Sequence, residues 1–219
     1  MSRGLAIVSV VLVTAGLVVV ADVAVTLAWK EPVSSIYGAL KQAGLDDDVA
    51  ALEDSFPEAA GPSTAELRRD AARLARRLAS EVGQGEGIGR LRIPAIGAEY
   101  ALVEGTDSGS LQEGPGHYSA TGLPGSGETV GIAGHRTTYL APFRKIDKLE
   151  GGDEVVLEMP YATLTYSVDD ARVVAPSQVG IVRDRRHERL VLTACHPLYS
   201  DAERYAVFAD LQAVAEPER

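Results

Sequence analysis

Leu190-Val191-Leu192-Thr193-Ala194-Cys195-His196-Pro197 is a run of strand-forming residues that ends at the only cysteine in the chain. Runs of the same texture recur on both sides of it. Tyr205-Ala206-Val207-Phe208-Ala209 lies downstream; upstream lie Ala171–Val174, Ala162–Val168, Glu154–Glu158, Thr129–Ala133, Glu99–Val103 and Leu91–Ile96, the last two joined by a turn at Gly97. Together with Arg189–Thr193 these make eight short apolar runs within about 130 residues, separated by Gly, Pro, Asp and Ser. That spacing predicts an all-β domain, a barrel or a sandwich. A short helical turn is expected near Pro142 to Ile146.

The chain has 219 residues, enough for one ordinary domain with appendages. Its formal net charge of −10 excludes a nucleic-acid partner, because phosphate binding requires a basic footprint. Leu5 to Trp29 is almost wholly apolar. As a helix it reaches about 37 Å, against a hydrocarbon core of about 30 Å. Its Val, Leu and Ile residues contribute roughly −4 to −8 kcal/mol of insertion free energy, more than an off-centre Asp22 takes back. The run exceeds the h-region of a signal peptide and lacks a small-x-small cleavage site. The expectation is therefore an uncleaved anchor over residues 1–30, N-terminus inside, with Trp29 and Lys30 at the interface.

Residues 31–86 read as a helical, acidic stalk. Ile36, Leu40, Leu45, Val49 and Leu52 recur at loose helical spacing. Pro57, Gly61 and Pro62 interrupt it. Ser63-Thr64-Ala65-Glu66 is a capping box opening a second helix, with Leu67, Ala71, Leu74 and Leu78 on one face. Gly83 to Gly87 ends it as a linker. The stalk reads as a spacer or brace rather than a partner-binding element, and Asp46-Asp47-Asp48 lacks the spacing of a calcium loop.

An unpaired cysteine is usually a buried, inert residue. Here it is followed by Arg204 and preceded, well upstream, by His135 in Gly131-Ile132-Ala133-Gly134-His135-Arg136-Thr137-Thr138-Tyr139. A lone thiol, a distant histidine and a nearby arginine supply a nucleophile, a proton carrier and an oxyanion clamp, the parts of acyl transfer. His196 points to the face opposite Cys195 if the pleat persists. His187 lies in a charged, solvated loop. A metal hydrolase is disfavoured because no paired, closely spaced ligands occur. In a papain-like peptidase the cysteine would open a helix rather than end a strand. A non-catalytic, membrane-tethered cell-surface binding module is the alternative from another class, and it requires an inert Cys195.

From Ile88 to Val214 the chain resembles the sortases, membrane-anchored cysteine transpeptidases of Gram-positive cell envelopes. The resemblance is carried by Gly87-Ile88-Gly89-Arg90-Leu91-Arg92-Ile93-Pro94, Val103-Glu104-Gly105-Thr106-Asp107, Gly114-Pro115-Gly116-His117-Tyr118, the His135 segment with Ala141-Pro142-Phe143, and Leu192 to Pro197 with Arg204. Val191 and Ala194 stand where the family signature Thr-Leu-x-Thr-Cys has threonines, which puts substrate preference and rate in doubt more than class. The spacing looks most like class E of actinobacteria.

The resemblance implies an eight-stranded sortase-type β-barrel with short helices over residues 87–219. It implies that Cys195 attacks the threonine carbonyl of a C-terminal sorting motif, Leu-Pro-x-Thr-Gly or Leu-Ala-x-Thr-Gly, to form a thioester. Arg204 then steadies the oxyanion or holds the substrate backbone, and His135 protonates the leaving amine and takes a proton from the incoming one. The partners implied are surface proteins bearing a sorting signal and a cell-wall precursor amine. No cofactor is needed. Tyr139, His117 and Ala194 are expected to contact substrate.

Overall fold

The computed structural model describes residues 3–28 and 32–217. Helix α1 (Arg3–Ala28) is the apolar segment. Its stretch Gly4–Ala21 is long and apolar enough to cross a membrane, and none of it is buried against the rest of the chain. Trp29 and Lys30, expected at the interface, lie outside the described residues. Helix α2 (Pro32–Ser55) and helix α3 (Thr64–Glu81) follow. The capping box closes α3 as its sequence requires: the Glu66 amide donates to the Ser63 hydroxyl at 3.4 Å, and that hydroxyl donates to the Glu66 carboxylate at 2.6 Å.

The first hairpin pairs β1 (Gly87–Ile93) with β2 (Ala98–Glu104) around Gly97, whose φ of 64 suits a residue without a Cβ. A six-residue helix, α4 (Ser108–Glu113), is capped by the Asp107 carboxylate and leads into a two-residue strand, β3 (Gly116–His117). After β4 (Thr129–Ala133) come β5 (Glu154–Met159), β6 (Ala162–Val174), β7 (Arg189–His196) and β8 (Glu203–Ala215). They close a barrel in the order β1-β2-β3-β4-β7-β8-β6-β5.

The strand number agrees with the sequence reading, but two elements differ. Ala162–Val168 and Ala171–Val174 are one strand, because a bulge between Val168 and Asp170 carries the ladder to β8 across the polar gap. The eighth strand is β3, too short for any alternation to show. Pro94–Ile96 forms a 3-10 turn instead of ending the first strand, and the turn expected near Pro142–Ile146 is realised as a 3-10 helix over Ile146–Lys148.

Along β7, Leu190, Leu192 and Ala194 enter the main core with Val207 and Ala209 of β8. Val191 takes the other face, with Ala206, Phe208 and Val174, under Ile181 and Val182 of the β6–β7 loop. Helix α3 puts Leu67, Ala71, Leu74 and Leu78 into the same core as Leu102, Val130 and Leu164. Helix α2 lies along β1 and β2. Its Gln42 side chain is buried and matches one backbone unit twice, donating to the Ala101 carbonyl at 3.1 Å and accepting from the Ala101 amide at 2.7 Å.

Candidate active site

The register of three strands assembles the site. β4 and β7 are parallel, with Ala133 opposite Thr193, and the Gly134 amide donates to the Thr193 carbonyl at 3.0 Å. Two residues past that pair stand His135 on one chain and Cys195 on the other. On the opposite flank β8 runs antiparallel, and its Arg204 is the direct partner of Cys195. Adjacent strands lie about 4.8 Å apart, so Arg204 flanks Cys195 directly, and the His135 segment leaves β4 at the same end of the barrel. Pleat parity puts Cys195 on the outer face with Val191 and Thr193.

The Cys195 thiol is free and half-buried. It opens on a groove of about 360 Å³ with Arg136, Thr137, Pro197, Tyr199, Ser200 and Asp201. Burial disfavours the imidazolium of His135 and lowers its pKa below the ordinary histidine value, so the ring is neutral at neutral pH. The Arg204 guanidinium is steadied by its own turn: Nη1 donates to the carbonyls of Asp201 at 2.8 Å and Glu203 at 2.9 Å.

The loop after His135 has an unusual backbone. Tyr139, Leu140 and Ala141 hold φ values of 47, 63 and 46, three consecutive left-handed residues without a glycine. Each costs about 1–2 kcal/mol for an L-residue, so the surroundings must enforce the turn. The Ala141 amide donates to the Thr138 carbonyl at 2.9 Å, and the Phe143 amide returns to the His135 carbonyl at 3.0 Å. Phe143 is fully buried and sits where a side chain on Gly134 would go, 2.5 Å from an added Cβ.

Arg136 completes the site and was not anticipated from sequence. It is 2% exposed, and its guanidinium joins the histidine segment to the cysteine strand. Nη1 donates to the Cys195 carbonyl at 3.4 Å and to Nδ1 of His196 at 3.2 Å. Nη2 donates to the Arg144 carbonyl at 3.4 Å and pairs with the Asp147 carboxylate at 2.9 Å. The only sequence signal was its place beside His135.

Of the residues expected to contact substrate, the structure does not bring Ala194 or His117 into the groove. Ala194 is 3% exposed and points into the barrel, because side chains on a strand alternate and Cys195 takes the outer face. His117 is 2% exposed; its Nδ1 lies 2.7 Å from the Glu104 carboxylate and its Nε2 3.0 Å from the Gly122 carbonyl, which leaves no free edge. Tyr139 sets its ring 5.3 Å from that of His135. Thr193, on the same face of β7 as Cys195, is buried, and its hydroxyl lies 2.8 Å from the Tyr118 hydroxyl. His196 meets Tyr205 and Arg136, and His187 is exposed. Among the described residues no group of three His, Cys, Asp or Glu side chains is placed to hold a metal ion.

The family profile of the Sortase domain matches residues 91–212, more than half of the chain, and includes His135, Cys195 and Arg204. The chain belongs to the sortase family. Sortase D of Bacillus subtilis (strain 168) is 37% identical over 118 residues, 53% of this chain and 57% of that protein. The crystal structure of Sortase E1 from Streptomyces coelicolor, which holds a tripeptide in its active site, aligns with a TM-score of 0.58 and 29% identity over 60% of this chain and 91% of that one. A Clostridium perfringens Sortase D5 transpeptidase shares the fold, with a TM-score of 0.61 over 77% of this chain and 98% of that one. The similarity is thus shared by D and E sortases, and the family, rather than class E, is what it establishes. This sortase spans about half the length of the curated relatives it matches.

Proposed function

We propose that the protein is a cysteine transpeptidase that joins surface proteins to a cell-wall amine. Residues 1–30 anchor it with the N-terminus in the cytoplasm, residues 31–86 connect, and residues 87–219 carry the chemistry outside the membrane. The observation that supports this reading is the register that pairs Cys195 with Arg204 and starts the His135 segment at the same end of the barrel. The neutral imidazole of His135 fits it as well, since a neutral ring can take the thiol proton.

The reaction begins as His135 accepts that proton and the Cys195 sulfur attacks the threonine carbonyl of a Leu-Pro-x-Thr-Gly or Leu-Ala-x-Thr-Gly sequence. The oxyanion is met by Arg204, a planar donor already oriented by the carbonyls of Asp201 and Glu203. The Thr–Gly carbon–nitrogen bond breaks, and His135 returns the proton to the departing glycine amine. The thioester is then attacked by the cell-wall precursor amine, whose proton passes to His135 as the threonine is transferred and the thiol is restored. The tripeptide in the Streptomyces coelicolor relative's active site supports a peptide substrate here.

Mass spectrometry of the full chain in detergent, mixed with both sorting peptides and an oligoglycine amine, tests the reading. The expected product is joined at threonine and absent with Cys195→Ala. Loss of the Arg204 fork in Arg204→Ala is expected to lower kcat about 10²–10³-fold. Turnover retained by Cys195→Ala, or no reaction by the native chain with either peptide, overturns it.

A further inference from the structure

The first turns of α2 reach the loop that carries His135. Gly38 is buried, and a Cβ placed on it would lie 2.8 Å from Cγ of Leu140 and 3.5 Å from the Tyr139 carbonyl carbon. The helix therefore lies against the left-handed turn at a distance only glycine permits. One residue earlier, the Tyr37 ring meets the Tyr139 ring edge-on at 6.4 Å, and Tyr139 in turn lies 5.3 Å from the His135 ring. From the other side the Lys41 ammonium stands 5.9 Å over the Tyr37 ring and pairs with the Glu113 carboxylate at 2.7 Å. A continuous row thus runs from Glu113 through Lys41, Tyr37 and Tyr139 to the imidazole.

The helix cannot slide along this contact. Gln42 fixes its register on Ala101 and on the Glu113 carbonyl, the latter at 2.8 Å, and Arg90 pairs with Glu53 further along. The left-handed turn is closed by the Ala141 amide on the Thr138 carbonyl, and α2 packs against it at Gly38. Tyr37 is itself 43% exposed, so its ring is not there to fill the core.

We propose that Tyr37 is a positioning residue for His135: acting through Tyr139, it holds the imidazole at the angle transfer requires, so that the membrane-proximal helix is part of the catalytic apparatus. The inference rests on the transpeptidase reading above. It assigns to α2 a role that a spacer or a simple brace does not have.

The test uses the full chain in detergent or lipid nanodiscs with Tyr37→Ala, Tyr37→Phe and Gly38→Leu. Steady-state cleavage of the sorting peptide, the His135 imidazole titration by NMR, Cys195 alkylation and thermal unfolding are measured on each. Tyr37→Ala is expected to lower kcat about ten-fold or more while KM stays within about two-fold, as small misplacements of a catalytic group do. Its His135 titration moves up toward the ordinary value as the ring loses cover, and the alkylation rate is unchanged. Tyr37→Phe, which keeps the ring, behaves as the native chain. Gly38→Leu, which pushes the turn away, behaves as Tyr37→Ala. Native kcat and an unmoved His135 titration in a folded Tyr37→Ala chain overturn the inference, as does a kcat loss that Tyr37→Phe shares. If the native chain neither cleaves nor joins either peptide, the transpeptidase reading falls. The NMR arm then still decides whether Tyr37 sets the environment of His135.

Discussion

Arg136 is the residue on which the geometry around Cys195 most depends. It bonds the Cys195 carbonyl, the His196 ring, the Arg144 carbonyl and the Asp147 carboxylate, four acceptors that a lysine's point charge could not serve together. Replacing it with Met is expected to destabilise the protein by about 2–3 kcal/mol, the worth of hydrogen bonds to a charged group, read as a lowered denaturant midpoint. His135 carries a pH signature. Its pKa is lowered in the folded state, so the stability it contributes is present above the unfolded value near 6.5 and is lost as pH falls through the folded value. Between pH 7 and pH 5 the native chain should therefore lose more stability than His135→Asn, measured by urea unfolding at each pH. Cys195, His135 and Arg204 were legible as candidates because residue type and spacing mark them. Arg136 was not, since an arginine beside a turn reads as solvated until its burial is known. Ala194 misled by adjacency: the neighbour of the nucleophile in sequence is on the other face of the strand.

Among the elements, the strands were legible wherever alternation ran for five residues or more. β3 has two residues and left no trace, and the bulge that continues β6 through Val168–Asp170 looked like a break. The β6–β7 loop hid another feature. Glu188, read as part of a solvated charge run, accepts from the amides of Gly125 at 2.6 Å and Gly127 at 2.9 Å and from the Tyr166 hydroxyl at 2.6 Å. Burial raises its pKa above the usual carboxylate value. Glu188→Ala strands those donors and is expected to cost about 3 kcal/mol, seen as a lower melting temperature. Helix α3 was legible from its cap and its apolar stripe, but not its destination. Leu74 is fully buried in the barrel's own core, so Leu74→Ala should cost about 3–4 kcal/mol in chemical denaturation.

At the scale of the whole molecule, α3 and the barrel share one buried core, Leu52 of α2 packs against it, and Leu45 of α2 forms a smaller cluster with Ala101 and Val103. A fragment of residues 87–219, the catalytic unit as the sequence divides it, would leave uncovered the surface on which Leu67, Ala71, Leu74 and Leu78 pack. It is expected to bind a hydrophobic dye and melt without cooperativity, whereas a fragment from Pro32 onward should unfold in a single transition. The start of α2 has a consequence for encounter rates. Three residues separate Ala28 from Pro32 and five helical steps lead on to Tyr37, a reach of about 22 Å at most, so His135 stays within roughly 40 Å of the end of α1. With α1 in the bilayer, as proposed, His135 would be held in a shallow layer along the membrane face. Partners tethered to the same membrane then meet it by two-dimensional search, at an effective concentration that reaches the millimolar range for short tethers. Under the proposed function, such a search would make weak intrinsic affinity for the sorting peptide sufficient, and leave the tether, more than the groove, to decide which proteins are processed.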